Sequence, residues 1–122
     1  MIVLCSIDDI QKYARGTIYR TSVGDTRGMG KYEGIPCLYP LKKEMVWAHR
    51  YKGMSDAEYN DRYGALIDER WAAVHAWLES LQANKDITLL CYCPEGTFCH
   101  RSLIATLIRT YRPDLAGQIV KQ

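Results

Sequence analysis

No stretch of this 122-residue chain approaches the roughly 20 consecutive apolar residues that cross a bilayer, so no membrane partner is expected. Internal repeats and low-complexity tracts are also missing, which argues against solenoid and fibrous architectures. Charge of one sign is not in excess: 16 basic against 14 acidic residues leave +2, too little to make nucleic acid the main partner. The apolar start from Met1 to Ser6 has no basic leader and meets Asp8 and Asp9 at once, so it reads as a first strand rather than a signal peptide. Cysteine does not come in an even set. Cys5, Cys37, Cys91, Cys93 and Cys99 are five, which fits free thiols in a reducing cytoplasm better than a disulfide framework.

What is there is ordinary globular material, 48% hydrophobic and 25% charged, enough for one domain over residues 1–122. Ile2 to Ser6 and Thr17 to Ser22 read as strands, the latter rich in β-branched and aromatic residues. Gly24 to Pro40 carries four glycines and two prolines and predicts an irregular, functional or mobile loop. Leu41 to Tyr51 reads as a short helix ended by Gly53. Ser55 and Glu58 form a capping box, and Tyr59, Tyr63, Leu66, Ile67, Trp71, Val74, Leu78 and Leu81 continue one apolar stripe, predicting a single long helix to about Gln82. Asp86 to Cys93 has the near-continuous apolarity of a central strand covered on both faces. A second helix is expected from Cys99 to Tyr111, and Gln118 to Val120 as an edge strand. The fold class that follows is α/β: a single Rossmann-like domain with a small, mainly parallel sheet flanked by helices.

In such sheets ligands sit beyond the carboxyl ends of the strands. The run from Leu89 to Ser102 passes from an apolar strand through a Pro/Gly turn into Cys99-His100-Arg101-Ser102 at a helix start. Helix N-terminal amides and the Arg101 guanidinium favour an anion there. Two readings of Arg101 stand: it grips that anion, or it pairs with Glu95 or Asp25 and stiffens the turn. Ser102 is a helper through its hydroxyl, and Ser22 and Arg27 are the loop residues set to share the charge. Tyr32, Tyr39, Trp47 and Tyr51 are candidates to stack a base.

Cys99 is the candidate catalytic residue, because a helix N-terminus beside an arginine lowers a thiol pKa. The alternative is that it only lines the pocket, since neighbouring His100 cannot face it within one helical turn. The Cys-x5-Arg form of a phosphatase loop is absent: the fifth-interval partner of Cys93 is Cys99. Cys91 and Cys93 point to the same face, but their spacing is not the usual Cys-x2-4-Cys of zinc sites. Packing under a helix is the more economical account, so neither metal nor cofactor is expected.

The apolar strand ending at Cys91 and the element Cys99-His100-Arg101-Ser102-Leu103-Ile104-Ala105 resemble the closing motif of the domain-of-unknown-function 488 family. The strand Ile18 to Ser22 and the helix with Glu58, Tyr59 and Tyr63 are similar to its short members, some of them carried by phages. The resemblance implies a compact Rossmann-like fold and a prokaryotic or phage-infected cytoplasm, without a settled activity. Three functions remain open. The chain binds an anionic, nucleotide-derived small molecule, sequestering a signalling nucleotide in an anti-defence role. It is instead an enzyme on a nucleotide or nucleic-acid component, using Cys99, Glu95 or Asp25. Or it is an inhibitor that works by protein–protein contact, a homo-oligomer being compatible with any of these.

Overall fold

Among the described residues, five short strands form the frame: β1 (Ile2–Ser6), β2 (Thr17–Arg20), β3 (Glu33–Gly34), β4 (Ile87–Cys91) and β5 (Ile119–Lys121). All pairs are parallel, in the order β3-β2-β4-β1-β5. The helices are α1 (Ile10–Tyr13), α2 (Ala48–Tyr51), α3 (Asp56–Glu69), α4 (Trp71–Ser80) and α5 (His100–Tyr111). This computed structural model describes residues 1–23, 26–93 and 98–122, the side chains of Thr26 and Arg27 excepted. The sheet is the Rossmann-like α/β arrangement that the apolar strand at 86–93 predicts.

Strand β4 sits between β2 and β1, and all five of its residues are buried. Alternation along the strands sorts the core into two layers. Ile2, Leu4, Ile87 and Leu89 pack with Tyr63, Val74, Leu78, Ile104 and Ile108 of α3, α4 and α5. On the other face Val3, Cys5 and Leu90 meet Ile7 and Met29, with Ile10 and Tyr13 beside them. Thr88 is the polar exception in the central strand; its hydroxyl donates to the Arg15 carbonyl at 2.8 Å and accepts from the Arg15 amide at 2.7 Å, so no buried group is left unpaired there.

From β1 the chain crosses toward β2, and from β4 it crosses the other way toward β5. The carboxyl ends of β1 and β4, in register at Ser6 and Cys91, therefore flank a switch point where a ligand crevice is expected.

Two expectations need correction. The apolar stripe from Tyr59 to Leu81 is not one helix, because it breaks at Arg70, which leaves helical geometry with φ −101° and ψ 18°. The cause is tertiary: Arg70 Nη1 donates to the Tyr39 carbonyl at 2.7 Å, with those of Pro36 and Cys37 at 3.4 and 3.5 Å, a set of acceptors that a straight helix does not guarantee. The glycine-rich segment after β2 is also more ordered than its composition suggests. It holds 3-10 turns at Thr26–Lys31 and Pro36–Leu38, with β3 between them paired to the edge of β2.

The segment Leu41 to Tyr51 is helical as expected but starts wide. Val46 N–H bonds to Leu41 O at 3.1 Å, an i to i−5 step, and Lys42–Trp47 form a π-helical turn that runs into α2. Such turns recur at functional sites, since they rotate the following side chains away from an α-helical face. Gly53, at φ +74°, ends the segment. Ser55 then caps α3, its hydroxyl accepting from the Glu58 amide at 3.1 Å.

Candidate functional site

Strand β4 ends at Cys91, and α5 begins one residue after Cys99, its N-cap. The Cys99 sulfur accepts the Arg101 amide at 3.3 Å, the capping role that a serine hydroxyl commonly fills. Cys91 and Cys93, two apart, fall on the same side. The three sulfurs of Cys91, Cys93 and Cys99 all lie within 4.8 Å of one another, with Cys91 and Cys99 3.5 Å apart.

Hydrogen bonding divides the charge of this trio unequally. Bonds from Cys91 first and Cys99 second pull the Cys93 thiol down to about 2, against the effect of its burial. Cys91 goes the other way, held well above the ordinary thiol value by its bonds to Cys93 and Cys99 and by burial. For Cys99 the bond from Cys91 lowers the pKa, but its own bond to Cys93 and its burial outweigh that and push it up to about 11. Of the three thiols, Cys93 is therefore the one whose ionisation its neighbours favour. Arg50 Nη2 stands 3.9 Å from that sulfur.

Cys93 and Cys99 line a cavity of about 410 Å³. Its opposite walls come from Val46, His49 and Arg50, which the π-helical turn and α2 present, and from Asp56 and Tyr59 in the first turns of α3. His49 Nε2 and Asp56 Oδ1 are 2.6 Å apart. The imidazole is packed by Tyr59 and Phe98, with ring centroids 5.1 and 5.5 Å away, and those two rings meet edge to face. Burial keeps the Tyr59 phenol protonated, so it can serve as a neutral donor. The volume falls within the roughly 300–1,000 Å³ of small-molecule pockets.

Of the residues expected to bind, Cys99 alone among those described here lines this cavity. Arg101 is 2% exposed and turns back to the strand end, where Nη1 donates to the Cys93 carbonyl at 2.9 Å. His100 is equally buried. Its Nε2 lies 3.0 Å from both the Thr21 carbonyl and the Thr21 hydroxyl, tying the start of α5 to the end of β2, and burial lowers its pKa to about 4. Since the Thr21 hydroxyl donates to Leu90 O at 2.8 Å, the imidazole is the donor to Thr21. Ser102 is half-buried and its carbonyl accepts from Thr106. Ser22 is buried, its carbonyl taking Nη1 of Arg20 at 3.1 Å. The Arg27 side chain, Asp25 and Glu95 lie outside the described residues.

The aromatic wall is also elsewhere than expected. Tyr39 receives the Arg20 guanidinium on its ring, Trp47 the Lys42 ammonium and Tyr32 that of Lys31, while Tyr51 is 70% exposed. Tyr59 and Phe98 do the enclosing instead. In the sequence, His49 and Arg50 belong to the basic stretch Lys42, Lys43, His49, Arg50 and Lys52, which reads as a solvated helix face or as an extension of an anion site, and nothing there singles out Asp56. The usable signal is the pair of polar residues at 49 and 50, shortly before a helix whose first residue is Asp56. A second cavity, about 320 Å³, opens against Ile2 and Ile87 at the amino ends of β1 and β4, the wrong end of a parallel sheet for a ligand.

A family model described as the active DUF488-N3 subclade (DUF488-N3a) matches residues 2–112, and the chain belongs to that family. No curated protein and no solved structure matches it.

Proposed function

We propose that this DUF488-N3 chain binds an anionic, nucleotide-derived small molecule in the cavity beyond β4. One observation carries the reading: the cavity joins an arginine, Arg50, to an aromatic wall of His49, Tyr59 and Phe98 at the carboxyl end of the central strand. Arg50 is suited to a phosphate oxygen through paired N–H donors, and the ring faces to a base. Arg101 holds the cysteine segment in place from behind. Sequestration of a signalling nucleotide, as in a phage anti-defence protein, is one use of such a pocket.

A second reading, turnover of the bound molecule, is favoured by what shares the wall. The His49–Asp56 pair and the Cys93 thiol, whose pKa its neighbours' hydrogen bonds lower, are the parts of acid–base and thiol chemistry, and the subclade is described as active. If a thiol reacts, it is Cys93 rather than Cys99, whose proton is held and whose surface is 3% exposed.

Calorimetric titration with nucleoside mono- and diphosphates tests the first reading. Loss of a charge-assisted hydrogen bond of about 1.5–3 kcal/mol makes Arg50→Met bind roughly 10- to 100-fold more weakly. Nucleotide recovered unchanged supports binding alone, and conversion supports turnover. Absence of binding to all of them, or equal binding by Arg50→Met, would overturn the proposal.

A further inference from the structure

Holding an anion needs neither Cys91 nor Cys99, yet both converge with Cys93 on one point. Four sulfurs around a tetrahedral zinc ion, each about 2.3 Å from it, stand roughly 3.8 Å apart. The trio, with one pair at 3.5 Å and every pair within 4.8 Å, has that spacing before any ion arrives. All three are free thiols. Two of them sit on rigid elements: Cys91 is fixed by the β1–β4 register and Cys99 by its place as the cap of α5. Packing of small apolar side chains does not require three sulfurs to face one another.

The surroundings suit metal-bound thiolates. The Arg101 amide points at the Cys99 sulfur, the Arg101 guanidinium fixes the Cys93 carbonyl, and Arg50 stands beside the Cys93 sulfur. Hydrogen bonds and cations at these places orient the ligands and offset the negative charge that three thiolates bring. Sulfur donors select zinc over magnesium, calcium or manganese.

We propose that Cys91, Cys93 and Cys99 form a three-sulfur zinc site whose fourth position opens on the cavity beside His49 and Arg50. Three protein ligands and one open position distinguish reactive zinc sites from closed structural ones. Each ligand that is still protonated releases its proton to solvent as the ion enters. The ion needs no nucleotide: its ligands are the three sulfurs, and of the groups that would hold the nucleotide it shares only Arg50 as a neighbour.

The test uses the full chain, reduced, in three forms: unmodified, Cys93→Ser and the control Cys5→Ser, whose thiol lies on the opposite face of the sheet. Zinc content after purification and Co(II) titration of the stripped protein are both read. The expected result is about one ion per chain, with sulfur-to-cobalt charge-transfer bands and the intense visible bands of a tetrahedral site. Cys93→Ser, with circular dichroism unchanged, loses more affinity than the roughly 10- to 100-fold typical of a lost supporting hydrogen bond. Cys5→Ser retains full binding. No cobalt spectrum in the unmodified chain, equal affinity in Cys93→Ser, loss of the ion in Cys5→Ser, or recovery of an iron–sulfur cluster instead would each overturn the proposal. Nucleotide titration of the same samples is scored separately, so failure of one reading leaves the other visible.

Discussion

Acidification should weaken this fold through His100. The imidazole is fully enclosed and donates to Thr21, and burial lowers its pKa from 6.5 to about 4. Below pH 6.5 the unfolded chain takes up a proton that the folded chain refuses, so stability falls as pH falls, and the loss levels off below about 4. A shift of this size removes roughly 2–3 kcal/mol between pH 7.5 and 4.5, a large fraction of the 5–15 kcal/mol typical of a domain. The three tryptophans provide a fluorescence signal for urea denaturation at a series of pH values. His100→Gln keeps an amide donor for Thr21 but cannot titrate. The difference between the two chains isolates the histidine from the carboxylates, among them Asp86 and Asp114, whose pKa values are lowered by hydrogen bonds from the N-terminal ammonium and from Arg112 and which act at lower pH. Parallel stability profiles for His100 and His100→Gln between pH 6.5 and 4.5 would refute the reasoning.

Two further expectations follow from packing and capping. Ile104→Ala empties a fully buried site between α5 and the sheet and should lower stability by about 2–5 kcal/mol in chemical denaturation, with circular dichroism of the native state unchanged. Ser55→Ala removes the hydroxyl that caps α3 at the Glu58 amide, costing about 1 kcal/mol by the same assay, whereas Ser55→Asp should restore most of it.

How much was legible beforehand depends on how local each cause is. β1, β4 and α5 are readable because burial on both faces of a strand, or on one face of a helix, imposes its own periodicity on the residues. Arg70 is not readable as a break, because the carbonyls it reaches belong to Pro36, Cys37 and Tyr39, more than thirty positions earlier. Nor is β3, two residues whose extended state is set by the free edge of β2 rather than by their own propensity. The cysteine–histidine–arginine run leads to the end of β4, where the cavity opens, but closeness in sequence does not decide which side chains line it. His100 and Arg101 turn inward, since Thr21 and the Cys93 carbonyl offer buried partners. The opposite wall comes from residues 46–59, some forty positions from Cys93, and only the β3-to-β4 crossover joins them.

The parallel order of the sheet also dictates when this site can exist. β1 lies between β4 and β5, so Ile2 waits for Ile87 and Ile119 before it has a neighbour on either side. During synthesis the β2–β3 pair is the one piece of sheet that can close early, and the centre assembles around the last third of the chain. The cysteines at 91, 93 and 99 emerge at that moment. Their meeting is therefore a late event of folding, and any lesion that delays β4 leaves a nascent chain with an unpaired apolar strand, open to aggregation, and three scattered thiols.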